Sequence, residues 1–332
     1  MHPADKAVLR LAIGMALAVL IAYGFALPGP FVACLMTVLL LCKPGPPIPF
    51  LKGVVLALVI GGLLVSGLLM VPILENYAVT GVLLTGVLFY AVYFLGTLKA
   101  GPLATILVVA FAAMPVAGVA EQALVPRFST AMAVGLGIGV LVSGISHSFF
   151  PDDPAAARKA ASPGAVTRET ARRTALQATV VVMPVFVLAL TNPAFYLPAI
   201  MKAGALGQQA SSTNSRSAGR ELVGSTLMGA GLALFAWFGL SMWPTLWMLM
   251  LWLVLATFWV GKRLFGVKAT ALPASFWSNA VVTMLILLGP AIEDTANGKD
   301  VLTASLTRFC LFVAAALYAW ATVWALERWR AL

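Results

Sequence analysis

Residues 7–44 read AVLRLAIGMALAVLIAYGFALPGPFVACLMTVLLLCKP, and this stretch decides the fold class. Its first part, Ala7–Ala26, is apolar over about 20 residues, the length that crosses a bilayer as a helix. Pro28-Gly29-Pro30 then turns the chain. The second run, Phe31–Cys42, is too short to be a secure crossing, since runs of about 10–14 residues are also found as re-entrant segments. An open sheet would leave backbone groups unpaired in hydrocarbon, so both runs must be helical. No small-residue cleavage site follows Ala26 cleanly, so the first run is expected to stay as a helix rather than leave as a signal peptide.

The rest of the chain repeats the theme. Of 332 residues, 61% are hydrophobic and only 10% charged, against roughly 25% charged in soluble domains. So few charges could not cover a water-facing surface, and lipid must be the main solvent. Further apolar runs are Leu51–Leu74, Tyr77–Leu95, Pro102–Val119 and Phe128–Phe149, then Thr174–Leu190, Phe195–Leu206, Leu222–Met242, Thr245–Val260, Ala271–Ile292 and Leu302–Leu326. The expected fold is an all-α polytopic membrane protein with about twelve transmembrane helices and no sizeable soluble domain.

The net charge of +10 could signal nucleic acid, but its distribution signals orientation instead. With all twelve runs crossing and both termini cytoplasmic, every Lys and Arg falls inside except Arg127, Lys299 and Arg308. If the two short runs do not cross, the split becomes much weaker. Twelve crossings therefore fit the charge best.

Landmarks recur in order along the chain. Arg10-Leu-Ala is matched by Arg173-Thr-Ala, and Pro30 by Pro193, each pair standing before or at the head of corresponding helices. Lys52 precedes Gly61 by the same interval as Arg220 precedes Gly229; Lys99-Ala matches Lys268-Ala, and Arg127-Phe matches Arg308-Phe. The expected organisation is a first six-helix membrane repeat (1–150), a cytoplasmic linker (151–169) and a second six-helix repeat (170–332). Six is even, so the copies are parallel, related by an axis along the membrane normal.

Matching short or Pro-interrupted segments are the best sequence pointer to a transport site. Here they are Phe31–Cys42 and Phe195–Leu206, the latter following Asn192-Pro193 and containing Pro198 and Lys202. A proline inside a helix frees backbone groups that need a neighbour or a wet cavity; the alternative is a short helix simply tucked among others. Arg127 and Arg308 form a candidate pair for a carboxylate, because guanidinium binds it bidentately. The alternative is that each pairs with a nearby acid, Glu121 or Asp300. Gln177 and Asn279 are the buried polar candidates, equally readable as interhelical glue. Lys52, Arg220, Lys268, Lys99, Arg10 and Arg173 read mainly as snorkelling anchors at the cytoplasmic edge. No acid sits mid-span as a proton carrier. Cys34, Cys42 and Cys310 have no metal-ligand spacing. With two His and scattered acids, neither a catalytic site, a metal nor a cofactor is expected, and the glycine-rich run Gly135–Gly144 is a packing face rather than a nucleotide loop.

Taken with the repeat, Arg10-Leu-Ala-Ile-Gly-Met-Ala-Leu-Ala, the short helix ending Leu39-Leu-Leu-Cys-Lys-Pro, Lys52-Gly-Val-Val-Leu-Ala-Leu-Val-Ile-Gly-Gly, Arg127-Phe and the sixth helix ending near Phe150-Pro resemble the fusaric acid resistance (FUSC) and aromatic acid exporter family. The resemblance implies a bacterial inner-membrane efflux component for aromatic or other organic acids, working with a periplasmic adaptor (membrane fusion) protein and an outer-membrane channel. The chain departs from the common exporter pattern in lacking large cytoplasmic domains after each block. An anion channel and a non-catalytic subunit of a larger assembly remain the rival classes.

Overall fold

The computed structural model describes residues 2–42, 47–65, 69–99, 112–119, 121, 124–151, 167–211, 219–296, 298 and 300–330. Among them every regular element is helical. The helices are α1 Pro3–Gly24, α2 Pro30–Leu41, α3 Phe50–Val65, α4 Met70–Asn76, α5 Ala78–Lys99, α6 at 112–119 and α7 Leu124–Phe149. There follow α8 Arg168–Thr191, α9 Pro193–Ser211, a π-helical turn Gly219–Val223 leading into α10 Gly224–Met242, then α11 Leu246–Leu264, α12 Ala274–Ala296 and α13 Val301–Arg330. Eight of the helical segments are long and apolar enough to cross a bilayer. Their outward faces are apolar too: on α5, Leu83 and Val87, one turn apart, are 65% and 64% exposed. Such faces are stable only against lipid, so the chain is a multi-pass all-α membrane protein.

The eight do not include α2, α3, α6 or α9. The expected single run Leu51–Leu74 is divided into α3 and α4. Pro72 explains where α4 can begin, because only in a helix's first turn does a residue without an N–H cost no helical hydrogen bond. α9 is longer than Phe195–Leu206, since the polar residues Gln208–Ser211 continue it. Of Pro102–Val119, residues 102–111 lie outside the described residues, as does linker segment 152–166; the described remainder, 112–119, is helical.

Local chemistry sets the helix starts. Pro3 opens α1, whose N-cap His2 accepts a hydrogen bond from the Ala4 N–H through Nδ1 at 3.3 Å. Thr167 and Thr245 cap α8 and α11 through their hydroxyls. Between α1 and α2, Gly29 adopts φ +58°, a left-handed conformation that a side chain would strain. That turn lets Pro30 start α2 directly.

The chain forms two compact units, and each draws on both halves of the sequence. The first comprises Met1–Val59, Thr130–Ser162 and Leu227–Ser305. In it α1 packs antiparallel against α2 and α11, and α2 also packs on α12. The α1–α11 register is fixed at both ends, with Gly24 beside Leu246 and Gly261 beside Val8 and Leu11. α2 runs parallel to α7: Gly135 faces Val32 and Ala33, and Gly139 faces Met36 and Thr37. A Cβ at Gly139 would lie 3.2 Å from the Met36 backbone, so the glycine permits the close approach.

The second unit comprises Ile60–Ser129, Pro163–Thr226 and Leu306–Leu332. In it α8 packs against α5 and pairs with α9. Phe89 and Phe186 meet edge to face at 5.6 Å in its core. A second layer joins Val181, Leu206, Leu222, Ala315, Ala316, Ala319 and Val323, so α8, α9, the π turn and α13 share one apolar seam.

Candidate functional site

In the second unit, α8 and α9 are joined through the single residue Asn192 and therefore run antiparallel. Gly207 sets their register: a Cβ there would lie 2.7 Å from Val182 and 3.2 Å from the Ala178 carbonyl. The Tyr93 hydroxyl from α5 reaches the same place and donates to the Gly204 carbonyl at 3.2 Å. Near this hairpin the helical hydrogen-bond ladder is interrupted twice in sequence, by Pro184 in α8 and Pro198 in α9. Pro184 has no N–H, so the Val180 carbonyl loses its helical partner. The Tyr318 hydroxyl, from α13, donates to that carbonyl at 3.0 Å. A neighbouring helix thus restores what the proline removes, as hydrocarbon requires.

Lys202 lies in this hairpin and is fully buried (0% exposed). It stands one turn before Leu206 of the apolar seam, as Gln177 stands one turn before Val181. The antiparallel register puts Lys202 level with about residue 185, roughly 12 Å along the axis from Gln177 at 1.5 Å per residue. The two predicted residues share a hairpin but occupy opposite sides of the seam. Asn192 is exposed at the turn, where its Oδ1 accepts from the Phe195 N–H at 3.3 Å.

Arg127 and Arg308 have unlike surroundings: Arg127 is exposed, whereas Arg308 is half-buried with one guanidinium nitrogen fully enclosed. Asp300, the acid considered for Arg308, caps α13 instead. It accepts from the Leu302 N–H at 3.1 Å and from the Thr303 hydroxyl and N–H. The Thr303 hydroxyl bond is the main reason its carboxyl is held below the ordinary range.

The first unit carries its own buried cation. Arg10 is 7% exposed, one turn before Gly14 on α1. At Gly14 the helix meets Thr37 of α2, and Ser146 Oγ of α7 would lie 3.3 Å from an added Cβ. One turn the other way, Lys6 Nζ donates to the Pro151 carbonyl at 3.4 Å. Arg10 therefore sits on the α1 face that packs along the end of α7. Asn279, also in this unit, is buried on α12, with its carbonyl accepting from the Thr283 hydroxyl at 2.7 Å.

Sequence reading grouped Arg10 with the edge anchors. Lys52, Arg173, Arg220 and Lys268 are indeed exposed, and Arg173 bridges Glu169 at 2.7 Å. Two acids were also missed as buried residues: Glu221 in the π turn and Asp294 near the end of α12. A faint signal existed for Glu221, which stands beside Arg220 at a helix entry; for Arg10 the signal was only its spacing to Gly14. Among the described residues no three His, Cys, Asp or Glu side chains gather as a metal site.

With this geometry in view, residues 7–145 match a family model described as a protein of unknown function (DUF2955). No curated protein and no solved structure matches the chain. The chemistry of the two hairpins must therefore speak for itself. Each buries one cation in a helix pair containing a short or proline-interrupted segment, and a buried cation is a natural counter-charge for an anion.

Proposed function

We propose that the protein is an inner-membrane exporter of organic carboxylic acids, aromatic ones foremost, built from two parallel six-helix copies with both termini cytoplasmic. The observation that carries this reading is the pair of buried cations, Arg10 beside α2 and Lys202 within α9, one in each compact unit. Ionisable groups inside membrane bundles are costly and mark ion or substrate pathways. The choice of aromatic acids rests on the resemblance to the fusaric acid resistance family, which also supplies the periplasmic adaptor and outer-membrane channel as partners.

Three findings support duplication. The matched family region ends at residue 145, close to the end of the sixth predicted helix. The contact partners recur: the first helix of each half packs on the fourth of the other, α1 on α11 and α8 on α5. The units also divide the third helix of each half at matching places, after Val59 and after Thr226. Each unit is then one full six-helix set, completed by exchange between the copies.

The test is uptake of radiolabelled benzoate-type acids into proteoliposomes. Losing a charged hydrogen bond to the anion costs about 1.5–3 kcal/mol, so Lys202→Gln and Arg10→Gln should each lower uptake by about tenfold or more. Saturating flux marks a carrier, and unsaturable flux that follows voltage marks a channel. Wild-type flux no greater than in empty liposomes rejects the proposal.

A further inference from the structure

Between Glu221 and Glu293 the sequence contains no acid, and its only charges are Lys262, Arg263 and Lys268. The structure gathers all three at one end of α11. Lys262 and Arg263 close the helix, and the following turn, with Gly266 at φ +76°, folds back so that the Lys268 N–H donates to the Lys262 carbonyl at 2.8 Å. Part of this positive charge answers the helix C-terminus. The arrangement goes further than that, because the cations are held on aromatic rings. The Arg263 guanidinium stacks 3.7 Å from the Trp259 ring centre, and its Nη1 donates to the Trp259 carbonyl at 3.1 Å. Lys262 Nζ lies 4.5 Å over the Phe258 ring. Trp259 is braced in turn by Trp277, edge to face at 5.8 Å. Asp5, in the first turn of α1, is one turn from Val8, which faces Gly261; it leaves the cluster net positive.

Below the cations runs an apolar stripe on the same helix face. Trp247, Leu251, Leu255 and Trp259 follow at one-turn spacing and are 66%, 59%, 49% and 38% exposed. The stripe is about 18 Å long at 1.5 Å per residue, comparable with half of a hydrocarbon core of about 30 Å. A preset cationic head at the end of an exposed apolar track of that length matches one kind of partner.

We propose that this face of α11 is a specific site for an anionic phospholipid. Its phosphate is held by Arg263, Lys262 and Lys268, and an acyl chain lies along Leu251 and Leu255. The planar guanidinium, fixed on Trp259, presents its N–H groups to phosphate oxygens without first losing side-chain freedom. The inference is independent of the transport reading.

Native mass spectrometry of the purified full-length protein, titrated with phosphatidylglycerol and phosphatidylcholine, tests it. The wild type should retain phosphatidylglycerol preferentially. Each basic residue contributes about fivefold to binding an anionic membrane surface, so Arg263→Gln with Lys268→Gln should weaken retention about 25-fold. Arg173→Gln, an exposed cation elsewhere, should leave the preference intact. Equal retention of both lipids, an unchanged preference in the double variant, or equal occupancy by inorganic phosphate alone would overturn the proposal. Fluorescence of the wild type gives a reading that does not need the double variant to fold. Brominated phosphatidylglycerol should quench it more than brominated phosphatidylcholine, and Trp259→Phe should shrink the difference; equal quenching again counts against the site.

Discussion

The α1–α2 and α8–α9 hairpins share a plan and differ in where they keep their charge. In the register that aligns Arg10 with Arg173 and Pro30 with Pro193, Gly14 stands where Gln177 stands, and Leu39 where Lys202 stands. The first hairpin buries a cation on its first helix and the second on its second. Arg10 faces packed helix, next to a glycine that lets Thr37 and Ser146 approach. Arg173, at the matching position, faces outward and meets Glu169. The same residue type at the same position is thus buried or solvated according to what its neighbours supply. Burial belongs to the packed bundle, not to the residue.

The largest expected effect concerns the assembly that creates these surroundings. Each unit takes helices from both halves, so fragments 1–162 and 163–332 produced separately should yield almost no monodisperse protein. Produced together, they should co-purify as one particle in size-exclusion chromatography. Two halves that are each stable alone would break the comparison at its root.

Next come the matched cations. Arg10→Gln removes a buried charged hydrogen-bonding group and should cost about 1–3 kcal/mol in detergent unfolding. Arg173→Gln removes an exposed pair and should stay within about 1 kcal/mol. Equal losses would show that burial of Arg10 carries no energetic weight. Importing the second hairpin's residue into the first, Gly14→Gln, should cost about 1–3 kcal/mol by overpacking against Thr37, Leu41 and Ser146.

A smaller effect isolates the proline in α8. Tyr318→Phe removes the donor to the Val180 carbonyl and should cost about 1 kcal/mol. In a Pro184→Ala background the restored N–H can take that carbonyl, so the same substitution should cost less. Additive losses in the double-mutant cycle would remove Tyr318 from this role.

The smallest is the Asp300 cap. Hydrogen bonds from Thr303 hold its folded carboxyl below the unfolded value, so its contribution is present above the ordinary carboxylate pKa of about 4. That contribution is lost as pH falls through the lower folded value. The melting-temperature gap between wild type and Asp300→Ala should therefore be widest near neutrality and close in acid; a gap independent of pH would contradict the assignment.

Much of the fold was legible because hydrocarbon leaves the backbone few options. Runs such as Ala7–Ala26 and Leu302–Leu326 could only be helices, and α1 and α13 follow them closely. The division of Leu51–Leu74 was less legible, since apolar content does not say where a helix restarts; Pro72 did, once a first-turn position was required. The site was harder still. Hydropathy places a residue along a helix axis but not around it, and helices apolar on all sides carry no stripe to reveal the packed face. Arg10 and Arg173 look alike for that reason. Lys202 could be singled out because it interrupts a short apolar run beside Pro198, whereas the inequality of Arg127 and Arg308 depends on neighbours that sequence does not name.

The most direct measurement is calorimetric titration of an aromatic carboxylate into the purified protein at pH 7. Saturable binding that weakens about tenfold or more in Lys202→Gln and in Arg10→Gln, but not in Arg173→Gln, is the predicted result. Binding of equal strength in all four proteins, or no binding to the wild type, would contradict the claim that Arg10 and Lys202, each within its own unit, are counter-charges for organic anions.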